Sequence, residues 1–148
     1  MNILFCSAGR RVELLKDFRK SLSPNSRIVA TDMSPYAPAL YVADAYYLVP
    51  SIFDEDYMPK VLDICKREKI QAITTLIDPE IEILAKHRIE FEALGILVLT
   101  PDANTAAICY DKYKFFQYLK NKGIATPNTY ENFFEAKQAI ESGDLTFP

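Results

Sequence analysis

The chain has 148 residues, enough for one domain and a small appendage. Hydrophobic residues make up 49% and charged residues 25%, the composition of an ordinary globular protein, and the formal net charge of −3 argues against a general nucleic-acid binder. No apolar run approaches the roughly 20 residues that a membrane-spanning helix needs, and no secretory signal is evident at the N-terminus.

Five short, nearly uncharged runs read as strands: 3–6, 28–31, 46–49, 72–77 and 96–99. They do not alternate apolar with polar, the pattern of strands covered on both faces. The first opens the stretch "ILFCSAGRRVELL", in which Val12, Leu15, Phe18 and Leu22 recur at helical spacing. Tyr57, Val61, Ile64 and Cys65 recur in the same way after Asp54, which suits an N-cap. Pro79 suits the first turn of another helix, predicted to run toward Leu94 and to stop at Gly95. Strands alternating with helices predict an α/β fold, a Rossmann-like doubly wound parallel sheet with strand order 3-2-1-4-5. After Leu99 the pattern changes. A short helical piece follows Thr100-Pro101-Asp102, a helix spans 111–122 with Phe116 and Leu119 inward, and Gly123 ends it. An extended link, "ATPNTY", leads to a last helix over 132–142, and the chain closes on "LTFP", read as the lead into a further strand. No internal repeat or low-complexity segment interrupts this order.

Cys6, Cys65 and Cys109 are odd in number and widely spaced, which favours reduced, structural, cytosolic thiols over disulfides or a zinc site. His87 falls on an apolar helical stripe with Leu84 and Phe91, and no serine or cysteine has an evident histidine partner, so no catalytic residue is assigned. The turn "CSAGRR" supplies only Gly9 of the three glycines that a dinucleotide fingerprint requires. A simpler anion site remains open there: Ser7, the Ala8 and Gly9 amides and the following helix N-terminus, with Arg10 and Arg11 adding forked donors. The alternative is a crossover turn with two solvated arginines. Asp32, ending the second strand, can accept from a ribose hydroxyl or close an Asx turn. The aromatics of "SPYAPALYVAD" are expected to pack over the sheet edge. Thr75, Asp78 and Glu80 fall at the carboxyl end of the fourth strand, where open α/β sheets bind ligands, although Asp78 can equally cap the next helix.

The stretches "NILFCSAGRRVELL", "ATDMSPYAPALYVAD", "TTLIDPEIEILA" and above all "DKYKFFQYLKNKGIATP" resemble the N-terminal part of ATP-grasp ligases, in the subgroup of carbamoyl-phosphate synthase large-subunit-like proteins. The resemblance implies a Rossmann-like pre-ATP-grasp domain at 1–109 and, at 110–148, a linker with the truncated start of an ATP-grasp domain. It implies an enzyme that uses ATP and Mg2+ to phosphorylate a carboxylate, with attack by an amine or ammonia on the acyl-phosphate. Ser7, Gly9, Arg10, Asp32, Asp78 and Glu80 would line the substrate crevice and Lys112 would approach the ATP phosphates. The second lysine, the Gly/Ser-rich loop and the acidic metal set of such ligases would lie in lobes supplied by a longer chain or another subunit. The fragment alone is expected to be inactive and to carry no cofactor, with a small-molecule substrate, a possible homodimer and a cytoplasmic setting. Two other readings remain. One is a stand-alone module for a small anionic or nucleotide-like ligand. The other is an interaction subunit docking through residues after Tyr110, with Phe133, Phe134 and Phe147 as the contact.

Overall fold

The computed structural model describes residues 1–146, so the expected strand lead at Phe147 and Pro148 lies outside the described residues. Two compact units result, Met1–Ala103 and the segment from Asn104 onward. In the first, five strands form one sheet: β1 (Ile3–Cys6), β2 (Ile28–Asp32), β3 (Ala45–Leu48), β4 (Ala72–Thr75) and β5 (Leu97–Val98). All neighbours are parallel and the order is β3-β2-β1-β4-β5, as the sequence predicts. Ile3 of the central strand aligns with both Ile28 and Ala72, which sets the register of the middle of the sheet.

The unbroken apolar runs follow from burial on both faces. Leu4 and Cys6 project to one side with Val29, Ile73 and Val98, beneath α2 (Tyr57–Arg67), α3 (Asp78–Lys86) and α4 (Arg88–Ala93). Tyr57, Val61, Ile64, Leu84 and Phe91 complete that core, each almost fully buried. Ile3 and Phe5 project to the other side with Ile28 and Ala30, under Leu15 of α1 (Val12–Ser21) and under a 3-10 turn at Pro38–Val42. Phe5 meets Phe18 edge to face at 4.8 Å between ring centres, a geometry that adds to simple area burial.

The link between β2 and β3 is the 3-10 turn, and Tyr46 and Leu48 of β3 are exposed. The structure departs from the sequence reading in three places. Within "SPYAPALYVAD" the alanines and Leu40 do the packing, while Tyr36 and Tyr41 turn outward. Asp54 does not cap α2 directly. Its side chain accepts from the Asp56 amide in a preceding turn, and the helix begins at Tyr57. The helix expected to run to Leu94 breaks at His87 (φ −92°, ψ 9°), and this re-aims α4 so that Phe91 buries against the core.

The second unit contains α5 (Ala103–Tyr110), α6 (Lys112–Asn121) and α7 (Phe133–Ser142). Asp111 caps α6 by accepting from the Tyr113 and Lys114 amides, and Asn132 caps α7 by accepting from Glu135. Phe116 and Leu119 are half-buried, whereas Phe133 and Phe134 are exposed. No helix among the described residues is long and apolar enough to cross a membrane.

The cysteines test this packing. Burial, followed by the charge of Glu80, pushes the Cys6 thiol well above its ordinary range, and burial pushes Cys65 up to about 12. Cys109 is exposed. Thiol titration of the native protein at about pH 8 should therefore detect one reactive cysteine, and denaturant should release all three. Two or more fast thiols in the native state would contradict the core described.

Candidate functional site

The strand order reverses between β1 and β4, because the chain proceeds outward to β2 and β3 on one side and to β5 on the other. Ligands of open α/β sheets bind outside the carboxyl ends of the strands at that switch point. Here the switch point is bordered by the turn after β1 and by residues 76–78 after β4.

The β1 turn is fastened to both neighbouring strands. The Leu76 amide donates to the Cys6 carbonyl (3.1 Å) and the Ala8 amide to the Thr31 carbonyl (3.0 Å). Ser7 (φ 47°) and Gly9 (φ 52°) both take left-handed backbone on either side of the buried Ala8. A Cβ on Gly9 would meet only the Ser7 carbonyl oxygen at 3.8 Å, so backbone angle rather than space selects glycine. The Gly9 amide donates to Asp32 Oδ2 (2.8 Å), and its carbonyl accepts from Ala39 (3.1 Å). The other Asp32 oxygen, Oδ1, accepts from the Ser34 amide at 2.8 Å.

These bonds correct part of the sequence reading. The Ala8 and Gly9 amides are not open to an anion, because Thr31 and Asp32 hold them. Asp32 closes an Asx turn and fastens two loops together, each of its oxygens accepting one backbone amide. Gly9 likewise serves the turn's shape.

The charged side chains of the same turn are different. Arg19, Arg27, Arg67 and Arg88 each lie against a carboxylate. Arg10 and Arg11 are exposed and, among the described residues, form no ion pair. The half-buried Ser7 adds a hydroxyl beside them. Two adjacent free guanidiniums at the edge of β1 provide forked donors suited to a carboxylate or a phosphate.

Across the switch point, Asp78 is the exposed first residue of α3. Ile77 occupies the cap position and no side chain caps the helix, so the expected capping role of Asp78 is not made. Its charge sits in the first turn, where a helix dipole favours an anion. Glu80, expected in the crevice, is fully buried. Its carboxylate accepts from the Tyr57 and Thr75 hydroxyls, which fasten α2, β4 and α3 together beneath the sheet edge. Burial without such donors would be costly for a carboxylate, so all three residues act as one unit. Burial, then the adjoining Cys6 and Glu80, pushes the Tyr57 hydroxyl far above its ordinary range, so Tyr57 remains a neutral donor. Sequence reasoning missed Tyr57 as a polar residue, because its helical spacing reads as core.

In the second unit, Lys112 is the exposed first residue of α6. Asp111 pairs with Lys114 at 3.5 Å and not with Lys112, whose ammonium makes no ion pair among the described residues. Among the described residues no three histidine, cysteine or acidic side chains converge as a metal would require.

The family model described as "PylC-like, N-terminal domain" matches residues 3–99. Among solved structures, N5-carboxyaminoimidazole ribonucleotide synthetase from Thermotoga maritima is similar, with a TM-score of 0.66 at 22% identity over 95% of this chain and 36% of that one. The ADP complex of N5-carboxyaminoimidazole synthetase from Staphylococcus aureus gives 0.63 at 16% identity over 95% and 35%. The L-amino acid ligase from Bacillus licheniformis gives 0.63 at 18% identity over 85% and 31%. The chain thus spans about a third of the length of the structures it matches. At these identities the likeness is one of fold. Comparison with curated proteins gives no match.

The Asp32 fastening carries a measurable cost. Asp32→Ala removes a charged acceptor from two backbone amides and should lower unfolding free energy by about 2 kcal/mol in urea titration. A loss below about 0.5 kcal/mol would mean that the two loops hold their shape without it.

Proposed function

This chain belongs to the PylC-like N-terminal domain family, and from that membership we propose that it is the substrate-binding portion of an ATP-dependent carboxylate–amine or carboxylate–ammonia ligase of the ATP-grasp type. The fold shared with N5-carboxyaminoimidazole ribonucleotide synthetases, one of them in an ADP complex, supports this reading for the first unit. The stretch "DKYKFFQYLKNKGIATP", with its resemblance to carbamoyl-phosphate synthase large-subunit-like proteins, supports extending it to the second. The observation that carries the proposal is the unpaired Arg10–Arg11 pair on the β1 turn at the strand-order reversal.

In this reading Arg10, with Arg11 beside it, holds an anionic group of the substrate. Ser7 contributes a hydroxyl hydrogen bond, and Asp78 across the reversal accepts from a cationic or hydroxyl group. Gly9 and Glu80 position these groups, since the Gly9 amide and the buried Glu80 carboxylate are engaged within the protein, while Asp32 braces the turn and keeps lone pairs for a substrate hydroxyl. Lys112 adds a free cation on a rigid helix start, suited to a nucleotide phosphate. Phosphoryl transfer from ATP to a carboxylate depends on positioning and on cations around the transferred group. We assign the remaining phosphate-binding groups and the magnesium ligands to ATP-grasp lobes outside these 148 residues.

Steady-state kinetics of the chain combined with such lobes tests the assignment. Arg10→Ala should raise KM for the carboxylate substrate by about tenfold or more while KM for ATP changes little. The chain alone should neither hydrolyse ATP nor bind it tightly in calorimetry. Tight stoichiometric ATP binding by the chain alone, or an Arg10→Ala enzyme with unchanged carboxylate KM, would overturn the proposal.

A further inference from the structure

A second concave surface lies on the α2–α3 face of the first unit, with the buried Tyr57 at its back. It is a groove of about 380 Å³ between the start of α2 and the α3–α4 junction. Its apolar lining comes from Ile52, Met58, Leu62 and Ile83, with Pro59 beside them. Asp54, Glu55 and Glu90 also line it, together with His87, whose Nδ1 lies 2.6 Å from Glu90 Oε1. Among the described residues no lysine or arginine lines this groove.

The absence of a cation there is local. Several surface acids elsewhere on the same unit have cationic neighbours: Glu13 with Lys16, Asp17 with Lys20 and Glu82 with Lys86. Asp54 and Glu55 have no such partner among the described residues, and Glu90 has only the imidazole. The helix dipole of α2 accounts for acids near its first turn, but Glu90 belongs to α4 and owes nothing to it. An apolar trough edged by uncompensated negative charge from two separate elements is complementary to a cation carried on an apolar stem.

From this we infer that the groove is a docking surface for a basic, amphipathic segment of a partner protein. One aliphatic side chain of that segment would lie on Met58, Leu62 and Ile83, and a neighbouring lysine or arginine would face Glu55 and Glu90. The groove is open on the surface, unlike the enclosing pockets that bury most of a small ligand, so a peptide segment is the better fit. The inference does not depend on the ligase reading, since it uses none of the residues at the strand-order reversal.

Amide chemical-shift mapping of the 148-residue chain tests it, with acetyl-Ala-Leu-Arg-Ala-Leu-Arg-Ala-amide as the probe. The expected result is saturable shifts confined to residues 52–62 and 83–90. They should be absent for the same peptide with glutamate in place of arginine, and weakened when serine replaces leucine. The double variant Glu55→Gln, Glu90→Gln changes only exposed side chains and should fold, yet its affinity for the peptide should fall about tenfold. Absence of groove shifts at millimolar peptide, shifts centred elsewhere, equal response to the glutamate peptide, or an undiminished response to the serine peptide would each overturn the inference. Unaltered affinity in the double variant would do the same.

Discussion

One carboxylate sets the shape of the sheet's carboxyl edge at the strand-order reversal. Asp32 accepts the amide of Gly9 from the first loop and the amide of Ser34 from its own loop, each at 2.8 Å. With both oxygens committed, the loops after β1 and β2 behave as a single piece of backbone. The left-handed Ser7 and Gly9 are then held in place by their surroundings, as uncommon backbone angles must be. What projects from this fixed piece is a pair of guanidiniums that form no ion pair among the described residues. Rigid backbone beneath free charge is the arrangement that allows an anion to be bound without first ordering the loop.

A second internal carboxylate fixes the opposite wall. Glu80 lies wholly inside the protein and collects the hydroxyls of Tyr57 and Thr75. It thereby ties the start of α2 and the end of β4 to the first turn of α3, where Asp78 is exposed. The two sides of the strand-order reversal are thus each braced by an acid held within the fold. Arg88 performs a related service at the edge of the sheet. Its guanidinium donates to the carbonyls of Val98, Thr100 and Pro101 and fixes the path by which the chain leaves β5.

The sheet was readable from sequence because burial on both faces leaves a plain signal. Ile3, Leu4, Phe5 and Cys6 are all at 0% exposure, and nothing polar interrupts them. The strand order was less legible: right-handed crossovers are compatible with several orders, and 3-2-1-4-5, which the sheet adopts, was one choice among them. The break at His87 was not readable, because Leu84, His87 and Phe91 keep helical spacing through it, and the break reflects the burial of Phe91. The positions of the charged residues were also legible, but their partners were not. Gly9 and Asp32 lie 23 residues apart, as do Tyr57 and Glu80, and no local spacing reveals such a pair. Asp32 and Glu80 therefore read as recognition residues by position, while the fold uses them as braces. Arg88 gave no local sign of its role for the same reason, since its partners lie ten to thirteen residues downstream.

The account rests on the free state of Arg10 and Arg11, and the arginine side-chain Nε–Hε resonances report that state directly. The chain has six arginines, of which four are held by carboxylates. During titration with pyrophosphate, two resonances, assigned by Arg10→Lys and Arg11→Lys, should move and saturate while the other four stay in place. Six resonances drifting together with ionic strength, or two that never move, would contradict the account.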